Sequence, residues 1–334
     1  MRRLLDAGSQ SIGNGPARGR FAPSPTGPLH FGSLVAALAS FLEARRCGGE
    51  WLLRIEDLDT PRSVPGATDA ILRALDRHGL HWDGPVWYQS QRREGYEAAL
   101  ERLSRAGLAY PCTCTRRELA TLSIHASDGG PIYPGHCRDG IRQPGRPAAI
   151  RLRVTDTPLA FQDAVQGSYA QDLEREVGDF VIRRADGLFA YQLAVVVDDA
   201  AQGITQIVRG GDLLDSTPRQ IYLQTLLGLP TPAYAHLPVA VDRRGHKLGK
   251  QTGAAPLDLD KPGLALMAAL RSLGQNPPFE LGGAPPATIL AWACTHWRLE
   301  RVPPIPARRW DPRRAREPAP DGLTQAIELL DLER

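Results

Sequence analysis

Apolar positions over the first third of the chain alternate between short runs and helical stripes. Residues 19–22 read as a short strand entering the turn Pro23-Ser24-Pro25-Thr26-Gly27-Pro28. From 33 to 45, Leu34, Leu38, Phe41 and Leu42 recur at helical spacing and predict an amphipathic helix. Residues 51–55 form a buried-type strand that ends in Glu56-Asp57-Leu58-Asp59. A second amphipathic helix is predicted over 67–78, a strand over 86–89 and a further helix over 92–106. This strand–helix alternation predicts an α/β fold with a parallel sheet and crossover helices.

The pattern then breaks. Residues 110–147 hold Pro, Gly, Cys and Tyr with almost no periodicity and read as an insertion. A strand resumes over 148–154. Residues 179–184 and 188–192 flank Ala185-Asp186-Gly187, a hairpin signal. A strand is predicted over 204–209, a helix over 213–227 and a strand over 237–241 that leads into a loop carrying two lysines. Past 254 the chain reads as short helices with Pro-rich joints. Residues 302–320 read as a Pro/Arg-rich linker or solvated strap before a last helix over 323–332. The implied division is a loose arm (1–18), the first half of a domain (19–109), the insertion (110–147), the second half with the lysine loop (148–254) and a short helical C-terminal region (255–334).

At 334 residues, 42% hydrophobic and 23% charged, the composition is that of a soluble globular chain of about two domains. It excludes a disordered, collagen-like or coiled-coil protein. No apolar run approaches the ~18 residues of a membrane span, and the N-terminal residues, with Asp6 among them, do not read as a secretory signal. Five cysteines, three of them clustered, argue against a disulfide framework and for the reducing cytoplasm. A net charge of +3 says nothing by itself about nucleic acid. The choice of basic residue says more. The chain has three lysines, Lys247, Lys250 and Lys261, and arginine everywhere else. Lysine is a compact point charge and arginine a planar fork, so the loop holding Lys247 and Lys250 is one that needs point charges.

Two stretches carry candidate chemistry. In Arg20-Phe-Ala-Pro-Ser-Pro-Thr-Gly-Pro-Leu-His30-Phe-Gly-Ser33 a strand runs through a stiff turn into a helix N-terminus. Such an end offers free N–H groups and a positive dipole to an anion. Gly32 lets a ligand approach the backbone, and His30 can donate to a phosphate or ribose oxygen. In the insertion, Cys112, Cys114 and Cys137 supply three thiols of a tetrahedral zinc set, which wants a fourth ligand. His136 and His125 are the ordinary chemical choices. Asp57, Asp59, Asp198 and Asp199 read as structural or capping groups. Cys47 and Cys294 read as buried thiols.

The 20–33 string resembles the first signature of class I aminoacyl-tRNA synthetases in its glutamyl version. His246-Lys247-Leu248-Gly249-Lys250-Gln251 resembles their second, lysine-bearing signature, with Gly249 where serine is usual. Arg54-Ile55-Glu56-Asp57-Leu58-Asp59, Val208-Arg209-Gly210 and Asp212-Leu213-Leu214 resemble further glutamyl-group segments. The resemblance covers about residues 18–270. It implies a doubly wound parallel-sheet (Rossmann-like) catalytic domain with a small helical tail, and ATP-dependent activation of glutamate with Mg²⁺ beside ATP. That reaction gathers charge on phosphate oxygens, so catalysis is positioning and electrostatic stabilisation. His30, Lys247 and Lys250 take the catalytic positions; His30, Gly32, Ser33, Lys247 and Lys250 those for ATP. Arg20, Phe21, Ala22, Pro23, Ser24, Glu56, Tyr191 and Arg209 take those for glutamate, the two arginines suiting its two carboxylates.

Within that family, Cys-x-Cys…Tyr-x-x-x-Cys resembles the zinc site of a short subgroup, the glutamyl-queuosine tRNA(Asp) synthetases. The resemblance implies one structural zinc held by Cys112, Cys114, Tyr133 and Cys137, with His136 as the alternative fourth ligand. The gap before Tyr133 carries extra residues around 123–130. The subgroup lacks an anticodon-binding domain, and about 70 residues follow the catalytic body here. The implied partners are glutamate, ATP and queuosine-containing tRNA(Asp), with glutamate passed to the modified wobble base by a cytoplasmic monomer. The rival readings are a truncated glutamyl-tRNA synthetase that charges 3′ ends and a non-catalytic tRNA- or nucleotide-binding protein of the same fold.

Overall fold

The computed structural model describes residues 5–6, 17–121, 131–155, 158–242, 245–247 and 255–309. Lys250, Gly249, His125, the predicted helix over 323–332 and most of the predicted N-terminal arm lie outside the described residues.

Strand β1 (Leu5–Asp6) is followed by β2 (Arg18–Phe21), whose Gly19, Arg20 and Phe21 are buried. Helix α1 (Phe31–Arg46) buries the predicted stripe, Leu34, Leu38 and Leu42. Arg45 and Arg46 stand in its last turn, where cations suit the dipole, and its first turn carries no acidic residue. Next come β3 (Glu50–Ile55), α2 (Ala67–Arg77), β4 (Trp87–Tyr88) and α3 (Arg93–Arg105). β3 pairs in parallel with both β2 and β4. From β2 to α3 these elements match the predicted types, whereas β1, which pairs with β7, falls in the stretch read as a loose arm.

The middle of the chain continues through β5 (Ala109–Cys112), α4 (Arg116–Ala120), β6 (Ala149–Leu152), β7 (Pro158–Asp163), β8 (Gly167–Asp172), α5 (Leu173–Glu176) and β9 (Phe180–Arg183). β5, β6 and β9 form their own antiparallel sheet, so the strand predicted over 148–154 pairs beside the insertion and not in the parallel sheet. Then follow α6 (Tyr191–Ala201), β10 (Gln206–Gly210), α7 (Thr217–Leu226), β11 (Ala233–Leu237) and β12 (Val239–Val241). β10 and β11 pair in parallel over their full length, and β11 joins β7 at Tyr234 and Asp163. The Thr205 N–H donates to the Arg18 carbonyl at 3.0 Å, which sets β2 beside the start of β10.

Helices cover both sheet faces. Adjacent strand residues point to opposite faces. Val208 joins a core with α1, α2 and the C-terminal helices α8 (Pro262–Ser272) and α9 (Pro286–His296), while Ile207 joins one built on α3, α6 and α7. Trp51 and Leu53 on β3 enter the first core, and Leu52 packs against the second.

Two readings change and one hairpin is added. The second hairpin arm predicted over 188–192 is shorter: the Arg184 N–H donates to the Leu188 carbonyl at 2.8 Å and the Ala190 N–H to the Ile182 carbonyl at 3.0 Å, and the arm ends there. Phe189 makes one bridge to Arg183, and α6 begins at Tyr191. Leu193, Ala194, Val195 and Val196 are all buried, so α6 has no polar face from which periodicity could show it. The β7–β8 hairpin lies in a stretch without a prediction. Residues 302–309 are no free strap, since β13 (Ala307–Arg309) pairs in parallel with β12. Among the described residues no helix is long and apolar enough to cross a membrane.

The turn from α1 into β3 brings Gly49 against β2. The Glu50 N–H donates to the Ala17 carbonyl at 2.9 Å, and a Cβ on Gly49 would stand 1.8 Å from that oxygen. Gly49→Ala must therefore prise β3 from β2. The expected loss is about 1–3 kcal/mol, read as a lower urea midpoint with an unchanged slope. A midpoint equal to wild type would show that the turn yields freely.

Candidate active site

A cleft of about 1580 Å³ opens over the carboxyl ends of β2, β3, β10 and β11. Open parallel sheets hold ligands at this edge. Arg20, Phe21, Ala22, Pro23, Ser24, His30, Gly32, Ser33, Glu56, Tyr191, Arg209 and Lys247 all line it, and so do Cys112 and Cys114 from the insertion. Lys250 lies outside the described residues.

One wall is a buried charge cluster. Arg20 donates to Asp199 through Nε at 3.1 Å and Nη2 at 3.3 Å. Arg54 donates through Nη1 to the same carboxylate at 2.8 Å and to Gln202 Oε1 at 2.7 Å, and through Nη2 to Glu56 at 3.2 Å. Burial works against the Asp199 charge, but Arg20 and Arg54 outweigh it and hold the carboxyl below its ordinary range. For Glu56 burial wins over Arg54 and Arg20 and pushes the carboxyl up. Arg54 stood in a quoted motif without a role; its buried place on β3 between two carboxylates supplies one. Asp198 stands 4.0 Å from Arg54 Nε and accepts from Tyr96 Oη at 2.6 Å and Gln89 Nε2 at 3.0 Å.

Arg209 on the opposite wall is held differently. Its described partners are neutral acceptors: His236 Nε2 at 3.0 Å, Thr217 Oγ1 at 2.8 Å, and the Leu213 carbonyl and Tyr191 hydroxyl at 3.4 Å each. His236 is fully buried, and burial lowers its pKa to about 4 against some help from Asp163, so its ring is neutral at pH 7. Burial also raises the Tyr191 phenol, which stays protonated. His236, Asp163 and Thr217 went unread in the sequence. The only signal was a histidine and an aspartate at the ends of short apolar strands.

Between these walls sits the N-terminus of α1. His30 is its N-cap, with Nδ1 accepting from the Ser33 N–H at 3.3 Å. The Leu257 N–H donates to the Leu29 carbonyl at 3.0 Å, which returns the segment after the lysine loop to this turn. Lys247 reaches Asp212 at 2.5 Å on the cleft rim.

The insertion gathers a metal-ligand set. The sulfurs of Cys112, Cys114 and Cys137 lie within 4.8 Å of one another. Tyr133 Oη lies 3.2 Å from Cys112 Sγ and 3.7 Å from Cys114 Sγ, and it accepts the Cys137 N–H at 2.9 Å. Cys114 and Cys137 are 3.7 Å apart. A tetrahedral ion with bonds of about 2.3 Å to sulfur needs edges of about 3.8 Å, so the spacing suits a divalent metal such as zinc. His136 packs edge-on to the Tyr133 ring and is not part of the sulfur group. Burial and the neighbouring thiols raise the Tyr133 pKa, so its phenol ionises only with the help of a cation. Arg151 caps the ring at 3.8 Å and donates through Nε to Cys112 Sγ at 3.3 Å.

The model of the class I tRNA synthetase (E and Q) catalytic domain matches residues 16–280. The glutamyl-Q tRNA(Asp) synthetase of Dechloromonas aromatica is 60% identical over 291 residues, covering 87% of this chain and 97% of that relative. The glutamyl-Q tRNA(Asp) synthetase of Pseudomonas aeruginosa PAO1 is 57% identical over 285 residues, covering 85% and 94%. Among solved structures, a glutamate tRNA ligase of Elizabethkingia meningosepticum, in complex with its amino acid, superposes with a TM-score of 0.72 at 25% identity. That match covers 90% of this chain and 68% of the other.

The buried neutral imidazole has a consequence for stability. His236 titrates near 4 in the folded protein and near its ordinary 6.5 when unfolded. The unfolded chain thus binds the extra proton between those values, and stability falls as pH drops from 6.5 towards 4. His78, lowered by burial, adds to the same slope. His236→Gln should remove about 1–3 kcal/mol of the loss between about pH 7 and pH 4, measured by urea unfolding at both ends. An unchanged slope would mean that His236 is charged in the folded state.

Proposed function

The chain belongs to the class I tRNA synthetases of the E and Q group and, within them, to the glutamyl-Q tRNA(Asp) synthetases, and from that membership we propose how this site works. It is an ATP-dependent ligase that activates glutamate and transfers it to tRNA. The acceptor is the queuosine base of tRNA(Asp), after which the relatives' enzyme is named, at the wobble position. The observation that carries the site reading is Arg209: a buried guanidinium facing the cleft whose partners among the described residues are neutral, ready for a ligand carboxylate.

Glutamate lies between the walls. Arg209 and Tyr191 take one carboxylate. Arg20, already bonded to Asp199, lends the other a weaker pull, and Glu56 accepts from the ammonium group. Phe21, Ala22, Pro23 and Ser24 shape the floor. ATP, with its Mg²⁺, lies across Gly32 and Ser33 at the α1 N-terminus, and His30 contacts it there. The α-carboxylate oxygen attacks the α-phosphorus, and the bond to pyrophosphate breaks. Lys247 and Lys250 balance the charge on the departing phosphates. A hydroxyl of the queuosine cyclopentenediol then attacks the acyl carbon, and AMP leaves with the bonding electron pair.

Cys112, Cys114, Tyr133 and Cys137 would hold one zinc ion, which would supply a structural tie between the end of β5 and the loop at 133–137. The catalytic domain is divided as 19–109 and 148–254 about the insertion 110–147, with the described helices of the C-terminal region, α8 and α9, packed behind. We place the enzyme in the cytoplasm as a monomer.

Transfer of labelled glutamate onto tRNA(Asp), with and without queuosine, tests the acceptor. Label only on the queuosine-containing tRNA is expected. Equal labelling of both, or labelling of tRNA(Glu), would instead mean 3′-end charging, and no label would mean a binding protein. For the metal, Tyr133→Phe should lose zinc in elemental analysis after dialysis against a chelator, while His136→Ala retains it. The reverse pattern would give the fourth position to His136.

A further inference from the structure

Arg209 and His236 are register partners on the adjacent parallel strands β10 and β11, and Asp163 closes β7 opposite Tyr234. The sheet therefore sets Arg209, His236 and Asp163 in a row from the cleft into the core. Asp163 is fixed by three backbone donors: Val165, Gln166 and His236 N–H groups at 3.0, 2.9 and 3.0 Å. Its Oδ2 takes the His236 Nδ1–H at 2.6 Å. That bond assigns the tautomer and leaves Nε2 as an acceptor, which takes Arg209 Nε–H at 3.0 Å; the Thr217 hydroxyl, 3.1 Å from the same nitrogen, donates to the Leu213 carbonyl at 3.2 Å. The Tyr234 ring lies parallel to the imidazole and 5.5 Å from the Arg209 guanidinium carbon.

We propose that His236 is the positioning residue for Arg209, orienting the guanidinium through a neutral acceptor so that its charge is kept for a carboxylate of glutamate. The inference rests on the reading that Arg209 receives that carboxylate. Arg20 shows the alternative: bonded twice to Asp199, its charge is balanced before any ligand arrives. A carboxylate in the place of His236 would do the same to Arg209. The imidazole instead passes the negative charge of Asp163 one residue further back. Set against the side-chain carboxylate, this arrangement favours glutamate over glutamine, because a carboxamide there brings no charge and turns N–H groups towards the guanidinium.

Glutamate-dependent ATP–pyrophosphate exchange by the full chain tests this, with KM measured separately for glutamate and ATP. His236→Leu removes the acceptor. It should raise KM for glutamate about ten- to hundredfold and leave KM for ATP within about twofold. The preference for glutamate over glutamine should narrow. His236→Gln can present an amide oxygen near the Nε2 position and should restore most of the glutamate affinity. Asp163→Asn keeps the shape but turns an NH₂ to Nδ1, which moves the ring proton to Nε2 against the Arg209 donor. It should weaken glutamate binding as His236→Leu does, and it decides the matter if His236→Leu does not fold. An unchanged KM for glutamate in either variant, or equal rises for glutamate and ATP, would overturn the positioning role. A wild-type chain without glutamate-dependent exchange would instead refute the function on which it rests.

Discussion

The joint on which the rest of the structure depends is the bond of Asp199 to both Arg20 and Arg54. Arg20 stands on β2, Arg54 on β3 and Asp199 on α6, so one carboxylate ties the first half of the catalytic body to the second across about 150 residues of chain. Burying such charges costs several kcal/mol for each ion before any pairing. The cluster is tolerable because nearly every polar atom has a partner: Gln202 takes another Arg54 proton and Glu56 a third. Its value lies in specificity of arrangement more than in net stability. With Arg54 fixed, Glu56 is fixed, and with Arg20 fixed, the first turn of the cleft is fixed.

The insertion is anchored on the same principle around Asp179. Its carboxylate accepts from Arg138 through two bonds of 2.7 Å, from the Val154 N–H at 2.8 Å and from the Tyr110 hydroxyl, while its carbonyl accepts from Arg151 at 2.7 Å. Arg151 then reaches the cluster, over the Tyr133 ring and onto Cys112. Three thiolates and a phenolate around a divalent ion carry a net charge of about −2, so a guanidinium at that edge lowers the electrostatic cost of ionising all four. The small hydrophobic cluster there consists largely of the cysteines and the tyrosine proposed as ligands. A segment with so little apolar core needs such cross-links to hold one shape.

What was legible in the sequence was whatever left a local trace. The α1 stripe, the turn with its three prolines and the Cys-x-Cys pair are visible because amphipathicity, turn chemistry and ligand spacing act between near neighbours. The helix over 191–201 was not, because burial on every side erases the polar face. The β7–β8 hairpin was missed as well, since buried polar residues, Asp163 on β7 and Gln171 on β8, stand where the pattern would need apolar ones. The charge partners Asp199 and Asp163 are tens to well over a hundred residues from the groups they serve. Asp199 could be weighed as a structural group but not assigned to Arg20, and Asp163 showed only as an aspartate at the end of a short apolar strand.

The contrast between the two arginines shows why sequence and structure had to be combined. As residue types Arg20 and Arg209 are interchangeable, and both stand at strand ends lining one cleft. What separates them is the protonation state of the group behind each. An ionised carboxylate behind Arg20 makes it part of the scaffold as much as of the site. A neutral imidazole behind Arg209 leaves the guanidinium charged in a low-dielectric wall, where an opposite charge is attracted several times more strongly than in water. That state is set by burial and by strand register, since β10, β11 and β7 must align for Arg209, His236 and Asp163 to meet. The sheet topology itself is therefore a determinant of where the cleft keeps free positive charge.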